Sequence, residues 1–379
     1  MRSETREYIS NLKSNISNLL MSNPFKNIQG EVAWRAPSNI ALVKYWGKYG
    51  NQLPKNASIS FTLNTAFTET SVKYKAKTDT DIQHHDKKKI DLKFFFEAKE
   101  NPKFAEKIQK FLESIVIHFP FLPYFSLEIN STNSFPHSTG IASSASSMAA
   151  LALCLTDIEN TLDGGLRPTD FFEKASMIAR LGSGSACRSV YPYLAAWGKH
   201  HAVPFSSNEH AVPFHEAVHP IFKTFKDAIL IVSSDEKSVS SRAGHALMEG
   251  NPFAESRYQQ AETHLTQLIS ALKEGNIEKF GEIIENEALT LHALMMCSTP
   301  SYMLMLPNTL KIIDLIKTYR TEKGVPLYYT LDAGPNVHLL YPEENAAEVQ
   351  NFIQQTLLAY CENGKVIYDE VGKGPIKLK

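Results

Sequence analysis

The chain is predicted to be an α+β protein of two lobes, and three observations predict it. Its 379 residues suffice for two sizeable cores. Its strand-like and helix-like segments are partly clustered, whereas a parallel α/β sheet demands strict alternation. A continuous apolar strand, Ala228-Ile-Leu-Ile-Val232, opens a second set of elements after a loop-like stretch, rich in His and Pro, between His200 and His219. Three regions are expected: an N-terminal extension over 1–30, a first lobe over 31–222 and a second over 223–379.

Each element carries its own signal. Tyr8, Ile9, Leu12, Ile16, Leu19 and Leu20 recur at helical spacing, so residues 5–20 are expected to form a helix docked on a domain. From Glu31 to about Lys75 the chain reads as strands. Within it Ile59, Phe61 and Leu63 alternate with Ser60 and Thr62, the mark of a half-buried strand. Lys87-Lys-Lys89 falls in a polar stretch and is expected in an exposed loop. Phe104, Ile108, Phe111, Leu112 and Ile115 outline an amphipathic helix, and Phe125, Leu127 and Ile129 alternate in a strand. Helices follow at 147–157 and 168–181, the second ending near Gly182. The second lobe shows helical patterns at Tyr258–Leu272, Ile277–Glu287 and Thr309–Tyr319. Strands at Leu327–Leu331 and Val337–Tyr341 flank Asp332-Ala-Gly-Pro-Asn336.

Composition excludes some function classes. With 39 Lys and Arg against 40 Asp and Glu the net charge is −1, which argues against nucleic acid or an anionic membrane as the main partner. A small anionic ligand needs only a local basic cluster. The longest apolar run is far too short to span a bilayer. Glu4 and Glu7 sit in an N-terminus without an apolar stretch of leader length, so secretion is not expected. Cys154, Cys187, Cys297 and Cys361 are scattered with no Cys-x-x-Cys spacing, which fits a reducing cytoplasm. The pairs His84-His85 and His200-His201 lack metal-ligand spacing to Cys or carboxylates and are expected at the surface.

Four segments concentrate reactive side chains. The most informative runs from Ser134 to Ser147, small hydroxyl and glycine residues that feed into an apolar helical pattern at Met148–Leu155. Small residues let a ligand approach the backbone, and the N–H groups and dipole of a helix start favour an anion such as a polyphosphate. The run matches neither Gly-x4-Gly-Lys-Ser/Thr nor Gly-x-Gly-x-x-Gly, so its phosphate site would be of a third design. In the second segment, Ala36 to Lys48, Lys44 and Lys48 bracket an aromatic pair and a glycine; these are either exposed strand lysines or cations aimed at a charged substrate. The third, Arg180 to Arg188, contains a broken dinucleotide fingerprint that follows a helix and not a strand. What remains is a flexible hydroxyl-rich turn ending in Arg188, whose planar fork suits a carboxylate or phosphate; Ser240-Ser-Arg242 repeats that chemistry. In the fourth, Asp332 at a strand end before Gly-Pro is either a turn initiator or a base facing a cleft between lobes.

Taken in order, these segments resemble the diphosphomevalonate decarboxylase family of the GHMP kinase superfamily. The resemblance rests on Asn39-Ile-Ala-Leu-Val-Lys-Tyr-Trp-Gly-Lys48, Phe135-Pro136, Gly140-Ile-Ala-Ser-Ser-Ala145 and Gly182-Ser-Gly-Ser-Ala-Cys-Arg-Ser189. Ser240-Ser-Arg-Ala-Gly244, Asp332-Ala-Gly-Pro-Asn336 and the segment around His292 extend it to the C-terminus. The resemblance implies a two-lobed GHMP kinase fold with ATP and substrate in the inter-lobe cleft, the first lobe carrying the ATP site. The implied reaction is ATP-dependent decarboxylation of 5-diphosphomevalonate to isopentenyl diphosphate, releasing ADP, phosphate and carbon dioxide.

Residue roles follow from the same resemblance. Asp332 orients or deprotonates the 3-hydroxyl, Lys44 sits beside it, and Arg188 clamps the carboxylate that leaves. Tyr45, Lys48, Ser183, Ser185, Ser241 and Arg242 hold the diphosphate and the substrate chain. Ser138, Gly140, Ala142, Ser143, Ser144 and Ser146 belong to the loop that cradles the ATP phosphates, with magnesium offsetting their charge. A cytoplasmic homodimer serving isoprenoid synthesis is also implied. Ser138-Thr139 and Ile141 depart from the family's usual two alanines and leucine. Two rivals are weighed: a sister enzyme acting on mevalonate 5-phosphate or on mevalonate (a 3-kinase), and a binding protein that has lost turnover. A simple kinase needs no clamp on a carboxylate, so Arg188 favours decarboxylation, and Arg242 favours a diphosphate tail.

Overall fold

The structure, a computed structural model, describes residues 23–84, 90–135, 143–214, 217–235 and 238–379. The helix expected at 5–20, the loop at 87–89, and Ser138, Gly140 and Ala142 lie outside the described residues. In chain order the first lobe contains β1 (Gln29–Val43), β2 (Lys48–Tyr49), β3 (Leu53–Pro54), β4 (Ser58–Ala76), α1 (Asp79–His84), β5 (Asp91–Phe96) and β6 (Lys99–Glu100). It continues with α2 (Pro102–Ser114), β7 (Phe125–Asn133), α3 (Ser143–Leu162), α4 (Pro168–Gly182), β8 (Leu194–Trp197) and β9 (Ala211–Pro213). The second lobe contains β10 (Lys226–Leu230), α5 (Ser241–Ala246), α6 (Ala254–Glu274), α7 (Ile277–Met296) and α8 (Pro307–Lys323). It ends with β11 (Tyr328–Leu331), β12 (Val337–Tyr341), α9 (Ala346–Phe352), β13 (Val366–Glu370) and β14 (Ile376–Lys377).

Two long antiparallel strands, β1 and β4, form the spine of the first sheet, whose order is β14-β1-β4-β7-β5-β6 with β8 and β9 branching from the start of β4. The register of β1 against β4 shifts between Pro37 and Asn39, where proline cannot donate to the ladder. The second sheet runs β11-β12-β10-β13 and is antiparallel throughout. β14 returns to the first sheet, pairing Lys377 with Trp34.

The core explains this layout. α3 is apolar around most of its circumference, and every residue from Ala149 to Glu159 is buried, as a helix packed on several sides requires. The start of β4 instead packs toward the second lobe, where Phe61 meets Phe225 and Phe280, with ring centroids 6.1 and 5.9 Å away. One continuous cluster therefore includes Ile40 and Phe61 from the first sheet with Leu265, Phe280 and Ile229 from the second lobe.

Three expectations need correction. β4 is not half-buried at its start: Ser58, Ser60 and Thr62 are as buried as Ile59, Phe61 and Leu63. Their hydroxyls face Arg188 and the Tyr191 carbonyl, partners remote in sequence. α7 runs past Glu287 to Met296, because that glutamate is neutralised by partners on α6 and does not end the buried face. His200 is buried, its ring nitrogen 3.2 Å from Glu262 of α6, whereas His201 is exposed. The three side chains can bring ligand atoms within 4.8 Å of one another, a grouping that linear spacing conceals because Glu262 comes from the other lobe. His84 and His85 lie outside the described side chains. Among the described residues, no helix is long and apolar enough to cross a membrane.

Candidate active site

A cleft of about 500 Å³ lies between the lobes. Lys44 stands at its floor because it is the first residue beyond the β1–β4 ladder, which ends at the pair Val43–Ile59. Its ammonium is buried, donates to the Ala41 carbonyl at 2.6 Å and lies 3.5 Å from Asp332 Oδ1. Burial lowers the Lys44 pKa below the ordinary lysine value; attraction to Asp332 and to Glu287 opposes that fall, and Arg188 adds to it.

Asp332 reaches the cleft from the turn after β11, with 27% of its side chain exposed. That turn is held from several directions. The Asp332 carbonyl accepts from His292 Nε2 at 3.0 Å and from the Gly334 N–H at 2.8 Å. Asn336 Oδ1 accepts the N–H groups of Val232 and Ser233 at 2.7 and 3.0 Å, and Thr309 donates to the Pro335 carbonyl at 2.7 Å. The carboxylate is thus presented by fixed backbone.

Arg188 sits on a buried 3-10 helix, Gly184–Val190, so the flexible turn expected here is instead part of the core. The helix can pack closely because Gly184 has no side chain: a Cβ there would lie 2.9 Å from the Tyr45 ring and 3.1 Å from Trp197. The Arg188 guanidinium donates to Ser60 Oγ at 3.0 Å, Ser58 Oγ at 2.7 Å and Asn39 Oδ1 at 3.3 Å. All three acceptors are neutral. Among the described residues no carboxylate lies within 4.0 Å of it, so a fully buried cation faces the cleft without a counter-ion. Burial lowers its pKa, an effect that Asp332 opposes. A bound anion would remove that cost.

A second basic group is placed by the residues after β1 and by α5. Lys48 donates to Gln52 Oε1 at 3.0 Å, and its pKa is lowered by partial burial and by repulsion from Arg242. Arg242 and Ser241 open the short helix α5, whose cap is Ser240, accepting the Ala243 N–H at 3.2 Å. Tyr45 presents a buried hydroxyl that finds no hydrogen-bond partner among the described residues, and burial raises its pKa. Ser183, just past the end of α4, and Ser185, on the 3-10 helix, line the same cleft. Ser143 and Ser144 enter it from the N-terminus of α3, and Ser144 Oγ is 3.2 Å from Ser183 Oγ, which joins the two segments. Ser146 does not line the cleft: it is buried, with its hydroxyl 2.7 Å from Thr68 Oγ1.

Sequence reasoning gave no role to Asn39, Lys107 or His245, which line the cleft. Asn39 orients Arg188 and also donates to Ser189 at 2.8 Å. Lys107 comes from the polar face of α2, where a lysine carries no signal. His245 packs between Tyr45 and Trp46 at 4.3 and 4.4 Å and accepts the Gly47 N–H on Nδ1 at 3.0 Å. Burial and then Lys48 push its pKa down to about 3, so it is neutral near neutral pH. Among the described residues the cleft therefore gathers five cations, Lys44, Lys48, Lys107, Arg188 and Arg242, against the single carboxylate of Asp332. Chemically it is an anion receptor with one base.

Comparison with known proteins agrees with this geometry. Residues 36–209 match the diphosphomevalonate decarboxylase-like N-terminal domain, and residues 228–377 match the mevalonate 5-diphosphate decarboxylase C-terminal domain. The diphosphomevalonate decarboxylase of Debaryomyces hansenii is 31% identical over 330 residues, covering 84% of this chain and 81% of that protein. The crystal structure of mevalonate diphosphate decarboxylase from Staphylococcus aureus superposes with a TM-score of 0.78 at 29% identity, covering 93% of this chain and 99% of that one. A complex of MDDEF with MVAPP, AMPPCP and magnesium gives 0.76 at 29% identity, covering 93% and 100%. With both lobes matched in order and the cleft between them, the chain belongs to the diphosphomevalonate decarboxylase family.

Proposed function

We propose that this protein is an ATP-dependent decarboxylase that converts (R)-5-diphosphomevalonate to isopentenyl diphosphate, ADP, phosphate and carbon dioxide. The observation that carries the reading is Arg188, a buried guanidinium whose hydrogen-bond partners among the described residues are all neutral, facing the same cleft as Asp332. A carboxylate substrate supplies the missing counter-ion. The convergence of Lys48 and Arg242 supports a diphosphate at the other end, because two like charges in mutual repulsion are relieved by a multiply charged anion. That surplus favours the diphosphate over the monophosphate or the free acid.

The residues present fit a nucleotide. α3 is 20 residues long, its Ser143 and Ser144 line the cleft, and Lys107 lines the same cleft. The first turn of a helix, hydroxyls and a lysine suit a polyphosphate. When bound, ATP supplies the phosphoryl group that makes the 3-oxygen a leaving group, and magnesium screens the phosphate charge. The chain's own residues do the rest. Asp332 accepts the 3-hydroxyl proton. Lys44 keeps the Asp332 carboxylate oriented, and Arg188 holds the carboxylate aligned while its carbon–carbon bond breaks. Tyr45, Lys48, Ser183, Ser185, Ser241 and Arg242 fix the chain and the diphosphate. These roles, the two-domain division at 222/223 and a homodimer are parts of the same proposal, supported by the cleft and by family membership. A cytoplasmic location also belongs to it, supported by four free thiols.

Incubation with ATP, magnesium and mevalonate, its 5-phosphate or its 5-diphosphate tests the reading. Carbon dioxide and ADP are expected in equal amounts from the diphosphate. ADP without carbon dioxide, or turnover of another substrate in preference, overturns it.

A further inference from the structure

Behind Lys44 lies a buried ion pair that the reaction scheme above does not use. Glu287 of α7 and Arg257 of α6 are both inaccessible and form a two-pronged contact, Arg257 donating to the two carboxylate oxygens at 2.8 and 2.6 Å. His264 adds a third contact to Glu287, 2.6 Å from Oε1. The fourth partner is the backbone of Lys44, whose N–H donates to Glu287 Oε2 at 2.8 Å. On the other side of that residue, its carbonyl accepts from Arg257 at 3.2 Å and from Asn56 at 2.9 Å. Lys44 stands just past the end of the β1–β4 ladder, where its peptide groups have lost their strand partners. Two second-lobe helices replace them with one ion pair.

We propose that Glu287, held by Arg257 and His264, is a positioning residue for this reaction: it fixes the backbone of Lys44 across the lobe boundary and sustains the charge of its ammonium. The inference rests on the reading of Lys44 as the cation that serves Asp332. The groups facing Lys44 are Asp332 from the β11–β12 turn, Glu287 from α7, Arg257 and His264 from α6, and Arg188 from the 3-10 helix. Glu287 and Asp332 favour the ammonium; Arg188 opposes it. A buried pair of this kind is costly as a stabilising device alone, since two apolar side chains of similar volume often serve as well. Its use of both peptide groups of Lys44 gives it a reason to exist.

Glu287→Gln tests this, because the amide oxygen still accepts from Lys44 while the charge is gone. The expected result is a fall in kcat on the order of 10-fold, an unchanged KM for ATP, and an alkaline limb of the kcat profile displaced to lower pH. Loss of packing alone would not move that limb. Should the orphaned Arg257 charge prevent folding, the double variant Glu287→Gln with Arg257→Gln removes both charges and is expected to show a smaller displacement in the same direction. Parental kcat with an unmoved limb in whichever variant folds, as judged by circular dichroism, overturns the proposal. Absence of diphosphomevalonate turnover in the parent protein would instead overturn the functional reading on which it rests.

Discussion

Replacing Asp332 with Asn removes one charge and one base while leaving the shape of the cleft unchanged. The side chain is partly exposed and touches Lys44 at 3.5 Å, so the substitution opens no cavity. The turn that carries it is held by His292, Asn336 and Thr309 through backbone atoms or neighbouring residues, none of which involves the carboxylate. The fold should therefore survive, with a thermal transition close to the parent's. Catalysis should not. A positioned general base contributes about 10²–10⁴-fold, which corresponds to about 2.7–5.4 kcal/mol at 1.36 kcal/mol per decade. The assay is single-turnover release of carbon dioxide and ADP from diphosphomevalonate, with nucleotide binding followed separately by titration. Ser143, Ser144 and Lys107, the residues proposed for the ATP side, lie on other elements, so nucleotide affinity should stay within a few-fold. A kcat within tenfold of the parent value would refute the role of Asp332. Loss of ATP binding alongside the loss of chemistry would do so as well.

Other consequences follow from the same geometry. Arg242→Ala should raise KM for the diphosphate substrate roughly 10- to 100-fold, as loss of a charge-assisted contact implies, with kcat little changed; an unchanged KM removes Arg242 from the diphosphate site. Gly184→Ala drives a methyl group to 2.9 Å from the Tyr45 ring. It should cost about 1–3 kcal/mol of stability, read as a lower melting temperature in calorimetry together with weaker substrate binding. Burial places the Lys44 pKa below 10.5, so the group is charged below its folded pKa and loses its proton as pH rises through it. The rate should decline on the alkaline side before an ordinary lysine would titrate, and a profile flat to that point speaks against a charged Lys44.

Much of the site was legible because its parts are short linear segments with unusual side chains. Lys44 and Lys48 around two aromatics, hydroxyls before Arg188, and Asp332 before Gly-Pro each break the rule for a core or a surface element. The periodic helices α2, α4, α6 and α8 were also visible, since each buries one face. The short strands β5, β8, β9, β13 and β14 were not, because strands this brief are defined by pairing with distant partners more than by their own pattern. Ser58 and Ser60 misled for the same reason: a serine in a strand looks solvent-facing until a buried arginine is placed opposite.

The linear order of residues settled which chemical groups are available: two lysines, two arginines, one well-placed aspartate and a run of hydroxyls ahead of an apolar helix. These are local properties, fixed by covalent spacing and by the period of burial. Only the tertiary structure decided that Arg188 has neutral Ser58, Ser60 and Asn39 as its acceptors, that Ser146 turns inward to Thr68, that Lys107 and His245 join the cleft, and that Glu287 grips Lys44 from 243 positions away. Charge pairing and burial depend on distance in space, and two lobes folding together set distances that no spacing along the chain encodes.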